Sequence, residues 1–160
     1  FVAAFPVARS TRPRPTTSGE HGASVPRGRP LDGTRALVVE DDPGVRAVTL
    51  RFLQQAGAEV VAAEDGVEGI DVLRRSVANI EPFQLIVSDL RLPQGSGAEV
   101  LRAARKAWPE AALVAMSGFL EDDAIARMAE SQELVFLPKP FTAQQLVQAV
   151  EAARANLHRG

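Results

Sequence analysis

Five short apolar runs, each closed by charged or turn-forming residues, constrain this chain more than any other feature. Ala36–Val39 is unbroken and stops at Glu40-Asp41-Asp42-Pro43, and Glu59–Ala63 stops ahead of Asp65-Gly66. Phe83–Ser88 stops at Asp89, Ala111–Met116 at Ser117-Gly118, and Leu134–Leu137 at Pro138-Lys139-Pro140. Apolar runs of this length mark strands covered on both faces. Stretches of helical spacing separate them. Val45, Val48, Phe52 and Ala56 form one stripe, with Gly57 at the helix end, and Val67, Ile70, Leu73 and Val77 form a second. A third helix near Ala98–Ala107 must end by Trp108, which precedes Pro109. A fourth is expected over Glu121–Glu130, and a fifth from Thr142 to about Asn156, burying Leu146, Val150, Ala153 and Leu157. This alternation predicts an α/β protein, a doubly wound five-stranded parallel sheet in the order 2-1-3-4-5 with five helices on its two faces.

The residues ahead of this pattern have a different texture. Residues 1–33 are rich in proline, glycine and arginine and are expected to form a linker or disordered segment. The ordered domain is expected over 34–157, with 158–160 as a tail. Residues 1–35 carry six arginines against two acids, which leaves a net charge of −6 on residues 36–160. Nothing in that balance favours nucleic acid. Without cysteine there is neither a disulfide framework nor a thiolate site, as a reducing cytoplasm would favour. No apolar run nears the roughly 18 residues that span a bilayer, so no membrane contact is expected of this domain.

In a sheet wound this way, ligands bind beyond the carboxyl ends of the strands where the winding reverses, beside strands one and three. Glu40, Asp41, Asp42 and Asp89 would therefore share one crevice. Any one of them could simply cap the following helix, but capping poorly explains four acids at two neighbouring strand ends. Carboxylates so close require a positive partner. An all-oxygen donor set with room for water suits Mg²⁺, and His21 and His158 are badly placed as ligands. This reading makes Asp41 and Asp89 direct ligands, with Glu40 or Asp42 acting through water. Ser117 and Lys139 close the neighbouring strands at the same edge. Carboxylate, divalent cation, ammonium and hydroxyl together suit phosphoryl transfer onto a carboxylate oxygen.

Val39-Glu40-Asp41-Asp42-Pro43, Asp89-Leu90-Arg91-Leu92-Pro93 with Gly97, Ser117-Gly118 and Phe136-Leu137-Pro138-Lys139-Pro140-Phe141 resemble, in that order, the receiver domain of bacterial two-component response regulators. The resemblance covers residues 34–157 and implies a flavodoxin-like three-layer sandwich. It implies that Asp89 accepts a phosphoryl group from a phosphohistidine on a histidine kinase or phosphotransfer domain. Asp41, Asp89 and the backbone carbonyl of Arg91 would bind Mg²⁺, with Glu40 behind them. Ser117 and Lys139 would bind the phosphoryl oxygens, and Phe136 would follow Ser117 as the switching aromatic. The face made by the fourth helix, fifth strand and fifth helix would switch and could form a homodimer. Two residues depart from the family's commonest pattern. Glu40 stands where Asp is usual, and Arg91 lies two residues past the acceptor, where side chains influence dephosphorylation. Phe1–Pro6 resembles the last strand of a histidine-kinase ATP-binding domain, which suggests the receiver of a hybrid kinase in a parent protein that could be membrane-anchored.

Two other functions fit less well. A Mg²⁺-dependent phosphatase of the haloacid dehalogenase type wants its aspartyl nucleophile on the first strand and a second Asp two residues on, where this chain has Arg91 after Asp89. A pseudo-receiver acting only as a binding module would not need Asp41, Asp89, Ser117 and Lys139 together. No strand is followed by a P-loop or a dinucleotide fingerprint.

Overall fold

The computed structural model describes residues 28–118, 123–131 and 133–159. Phe1–Pro6 and most of the expected linker lie outside the described residues. The elements run β1 (Arg35–Val39), α1 (Pro43–Gln55), β2 (Glu59–Ala63), α2 (Gly66–Ala78), β3 (Leu85–Asp89), α3 (Gly97–Ala107), β4 (Ala112–Ser117), α4 (Asp123–Glu130), β5 (Val135–Pro138) and α5 (Ala143–Leu157). The strands pair in parallel in the order β2-β1-β3-β4-β5, as the alternation predicts. Among the described residues, no helix is long and apolar enough to cross a membrane.

Alternate residues of the buried strands feed two separate cores, because successive side chains of a strand point to opposite faces. Ala36, Val38, Leu85, Val87, Val114 and Met116 pack with Leu53 of α1 and Leu146 and Val150 of α5. Leu37, Val39, Ile86, Leu113 and Ala115 pack with Leu73 of α2, Val100 and Leu101 of α3 and Ile125 of α4. Each leucine buried this completely contributes on the order of 2 kcal/mol. Side-chain caps fix where the helices start: Asp42 accepts from the Val45 N–H, Asp65 from Glu68, Ser96 from Ala98, and Thr142 from Gln145 in a reciprocal capping box.

Three details differ from the sequence reading. In α1 the fully buried residues are Thr49 and Leu53, while Val48 is 38% exposed. Thr49 tolerates burial because its hydroxyl donates to the Val45 carbonyl. In α2 the buried face is Gly66, Gly69, Leu73 and Ser76, whereas Val67 and Val77 are 53% and 48% exposed. The helix lies so close to the sheet that a Cβ at Gly69 would meet Val39 at 3.0 Å, so small residues occupy the face that apolar spacing assigns to valines. Third, the packed region reaches back past residue 34. Leu31 is fully buried in the α1–α5 core and its N–H donates to the Ala56 carbonyl. Beyond α2, Ile80 takes a left-handed conformation (φ 56°), while the Glu81 N–H donates to Ser76 and the Ile80 N–H to Val77.

Candidate functional site

The winding reverses between β1 and β3, and the charged strand ends gather there. Val39 is in register with Ser88, Asp89 with Met116, and Ser117 with Pro138. The residues that close β1, β3, β4 and β5 therefore stand side by side at one edge. Glu40, Asp89 and Ser117 are buried, and Asp41 is exposed. The Lys139 N–H donates to the Ser117 carbonyl at 3.1 Å, and the Lys139–Pro140 peptide is cis.

Lys139 is the hub. Its Nζ lies 2.6 Å from Glu40 Oε2 and 2.6 Å from Asp89 Oδ2. The second oxygen of each carboxylate meets a backbone amide: Asp42 N–H donates to Glu40 Oε1 at 3.2 Å, and Arg91 N–H to Asp89 Oδ1 at 2.9 Å. Burial raises the Glu40 pKa, and the hydrogen bond from Lys139 offsets that only in part. Burial alone would lower the Lys139 pKa, but its hydrogen bonds to Asp89 and Glu40 outweigh this and raise it. An ammonium held between two carboxylates keeps its proton more firmly than one in water.

Carboxylate oxygens of Glu40, Asp41 and Asp89 lie within 4.8 Å of one another. Three carboxylates against one ammonium leave two excess negative charges, the charge of one divalent cation. The donors are all oxygen, and the residues fit a hard cation such as Mg²⁺ better than zinc. Asp42 does not join the cluster; its side chain caps α1. Ser117 ends β4 beside Lys139, Arg91 is exposed, and Phe136 is half-buried against the α2–α3–α4 core.

Two features escape a reading of the sequence. The Arg46 guanidinium donates from Nη1 to the carbonyls of Glu40 (2.8 Å) and Asp41 (3.2 Å), and from Nη2 to Glu64 Oε1 (3.1 Å). The loop after Asp89 is wedged between helices. The Gly66 N–H donates to the Gln94 carbonyl at 2.7 Å, and a Cβ at Gly66 would stand 2.9 Å from that oxygen. An arginine one turn into a helix and a glycine after an aspartate are too common to announce either role. A depression of about 380 Å³ beside Lys139 is lined by Gly44, Val45, Val48, Pro140 and Phe141, so Val48 belongs to an apolar surface at the mouth of the site.

A family model described as the response regulator receiver domain matches residues 36–151. The sensor kinase CckA of Brucella abortus is 33% identical over 115 residues, which cover 72% of this chain and 12% of that kinase. A solved receiver-domain protein from Clostridium thermocellum superposes with a TM-score of 0.63 at 30% identity, covering 76% of this chain and 94% of that one. The solved receiver domain of the hybrid histidine kinase CckA gives 0.60 at 29% identity, covering 75% and 98%.

Proposed function

The chain belongs to the response regulator receiver family of two-component systems, and from that premise we propose that Asp89 accepts a phosphoryl group from a phosphohistidine. The observation that carries this reading is the Lys139 ammonium 2.6 Å from both Asp89 and Glu40, with Asp41 completing the carboxylate cluster. An Asp89 carboxylate oxygen attacks phosphorus, the phosphorus–nitrogen bond breaks, and the histidine nitrogen leaves with the electron pair. Asp89 is held for that attack by the Arg91 N–H on one oxygen and Lys139 on the other. Lys139 then shifts its hydrogen bonding toward the incoming phosphoryl oxygens, and the Ser117 hydroxyl binds another of them. Asp41, Asp89 and the Arg91 carbonyl would hold Mg²⁺, with Glu40 behind them, and the cation would supply positive charge to the phosphoryl oxygens.

The phosphodonor is a histidine kinase or phosphotransfer domain, and the apolar surface around Val48 and Phe141 beside the site suits a protein donor. Likeness to a hybrid-kinase receiver favours a kinase in the same parent protein. When Ser117 turns toward phosphate, Phe136 repacks behind it and alters the α4–β5–α5 face. Phe136 has no hydroxyl, so that switch rests on packing.

Intact-mass measurement after incubation with acetyl phosphate and Mg²⁺ tests the assignment. The wild type should gain one phosphoryl group and Asp89→Asn none. An unmodified wild type would instead indicate a pseudo-receiver, and equal gain by the variant would move the acceptor elsewhere.

A further inference from the structure

We infer that Arg46 is a positioning residue for the divalent cation, acting through the backbone of Glu40 and Asp41; this rests on the phosphoacceptor reading of the same site. The two carbonyls that accept from it belong to consecutive residues, so the guanidinium fixes the peptide units on both sides of Asp41. Glu40 is otherwise anchored on every side: its N–H donates to Ala63, and its carboxylate takes Lys139 and the Asp42 N–H. Asp41 is exposed, and a rotation of the peptide ahead of it swings its carboxylate away from Asp89. Arg46 opposes that rotation from α1, where its own N–H donates to the Asp42 carbonyl.

A guanidinium near a cation site also repels the cation, and the balance decides the sign of its effect. Glu64 receives the other arm of the fork and compensates its charge. The Arg46 side chain is 17% exposed and Glu64 71%, so the clamp is sheltered and its counter-ion wet. An ion pair so exposed contributes little to stability. The two hydrogen bonds to carbonyls are the part that acts. The planar fork holds both carbonyls and Glu64 at once, which a lysine ammonium on its flexible stem does poorly. Through Glu64 the clamp also ties the β1–α1 loop to the β2–α2 loop, and the Gly66–Gln94 hydrogen bond carries the tie to the loop after Asp89.

Calorimetric titration of Mg²⁺ into the whole chain, compared with Arg46→Gln and Arg46→Lys, tests this, with acetyl phosphate labelling at limiting and saturating Mg²⁺ as the second readout. Partners that orient a metal ligand are worth tenfold or more in affinity, so Arg46→Gln should bind Mg²⁺ about tenfold more weakly. Arg46→Lys should fall between the two, and saturating Mg²⁺ should restore most of the labelling rate. Unchanged or tighter binding by folded Arg46→Gln, with only the Tm lowered, overturns the inference; a structural brace would behave that way. If Arg46→Gln does not fold, Arg46→Lys decides by the same comparison. A wild type that binds Mg²⁺ but takes no phosphoryl group defeats the phosphoacceptor reading and leaves the titration to judge Arg46. A wild type that binds no Mg²⁺ overturns the role assigned here.

Discussion

A Cβ placed on Gly97 would stand 1.8 Å from the carbonyl oxygen of Asp89. The first residue of α3 thus rests directly on the backbone of Asp89, and the obstructing atom is a carbonyl that cannot swing aside as a side chain would. Gly97→Ala should destabilise the fold by about 3 kcal/mol, the upper part of the usual range for overpacking. Urea unfolding should show the midpoint falling at constant slope, and Asp89 labelling by acetyl phosphate should slow. A midpoint within error of the wild type would contradict the contact.

Lys139→Met leaves the buried carboxylates of Glu40 and Asp89 facing each other with no ammonium between them. Removing one partner of a buried ionic cluster is costly, and about 3 kcal/mol is expected in EDTA. Glu40, its pKa already raised by burial, takes up a proton and limits the loss. Mg²⁺ should then raise the Tm of the variant more than that of the wild type, because the cation replaces the missing positive charge. Equal Mg²⁺ shifts in the two proteins would refute this.

The raised pKa of Lys139 gives stability an alkaline limit. The folded chain holds this proton more firmly than the unfolded chain, whose lysine titrates near 10.5. The contribution is fully present below that value and is lost as pH rises through the folded-state pKa. The chain has no tyrosine, no cysteine and only Lys106 besides. Denaturation followed across the alkaline range without divalent cation should show the wild type losing stability and Lys139→Met changing little. Parallel curves would sink the assignment.

Ile80 is 83% exposed and carries a β-branched side chain at φ 56°, where glycine is the usual residue. Ile80→Gly should stabilise the protein by about 1 kcal/mol through relief of that strain. A lower Tm in thermal unfolding would show that Ile80 makes a compensating contact.

Strand order and helix ends were legible in the chain because unbroken apolar runs, their alternation with helical stripes, and the breakers Gly57 and Pro109 act over a few residues. The strand-end acids, Ser117 and Lys139 were legible for the same reason: parallel strands put their last residues on one edge. What escaped depends on distances between elements. The buried face of α2 uses Gly69 and Ser76 because the helix approaches the sheet closely, and no apolar count reveals a helix packed through its small residues. Nothing in the spacing of Arg46 says that its fork meets two carbonyls five and six residues earlier. Leu31, a lone apolar residue among prolines and glycines, looks like linker until α1 and α5 are seen to leave room for it.

That leucine also sets where a tug from upstream is felt. It is seated in the α1–α5 core, its amide is tied to Ala56, and Arg154 of α5 donates to the Pro30 carbonyl and the Thr34 hydroxyl. These fastenings lie at the amino ends of the strands, while the acidic crevice lies at their carboxyl ends. A pull on the residues ahead of Gly28 would therefore meet this plug between α1 and α5 first, a strand's length away from Asp89. The chain ahead of Gly28 joins the packed domain at the end of the sheet opposite the acidic crevice.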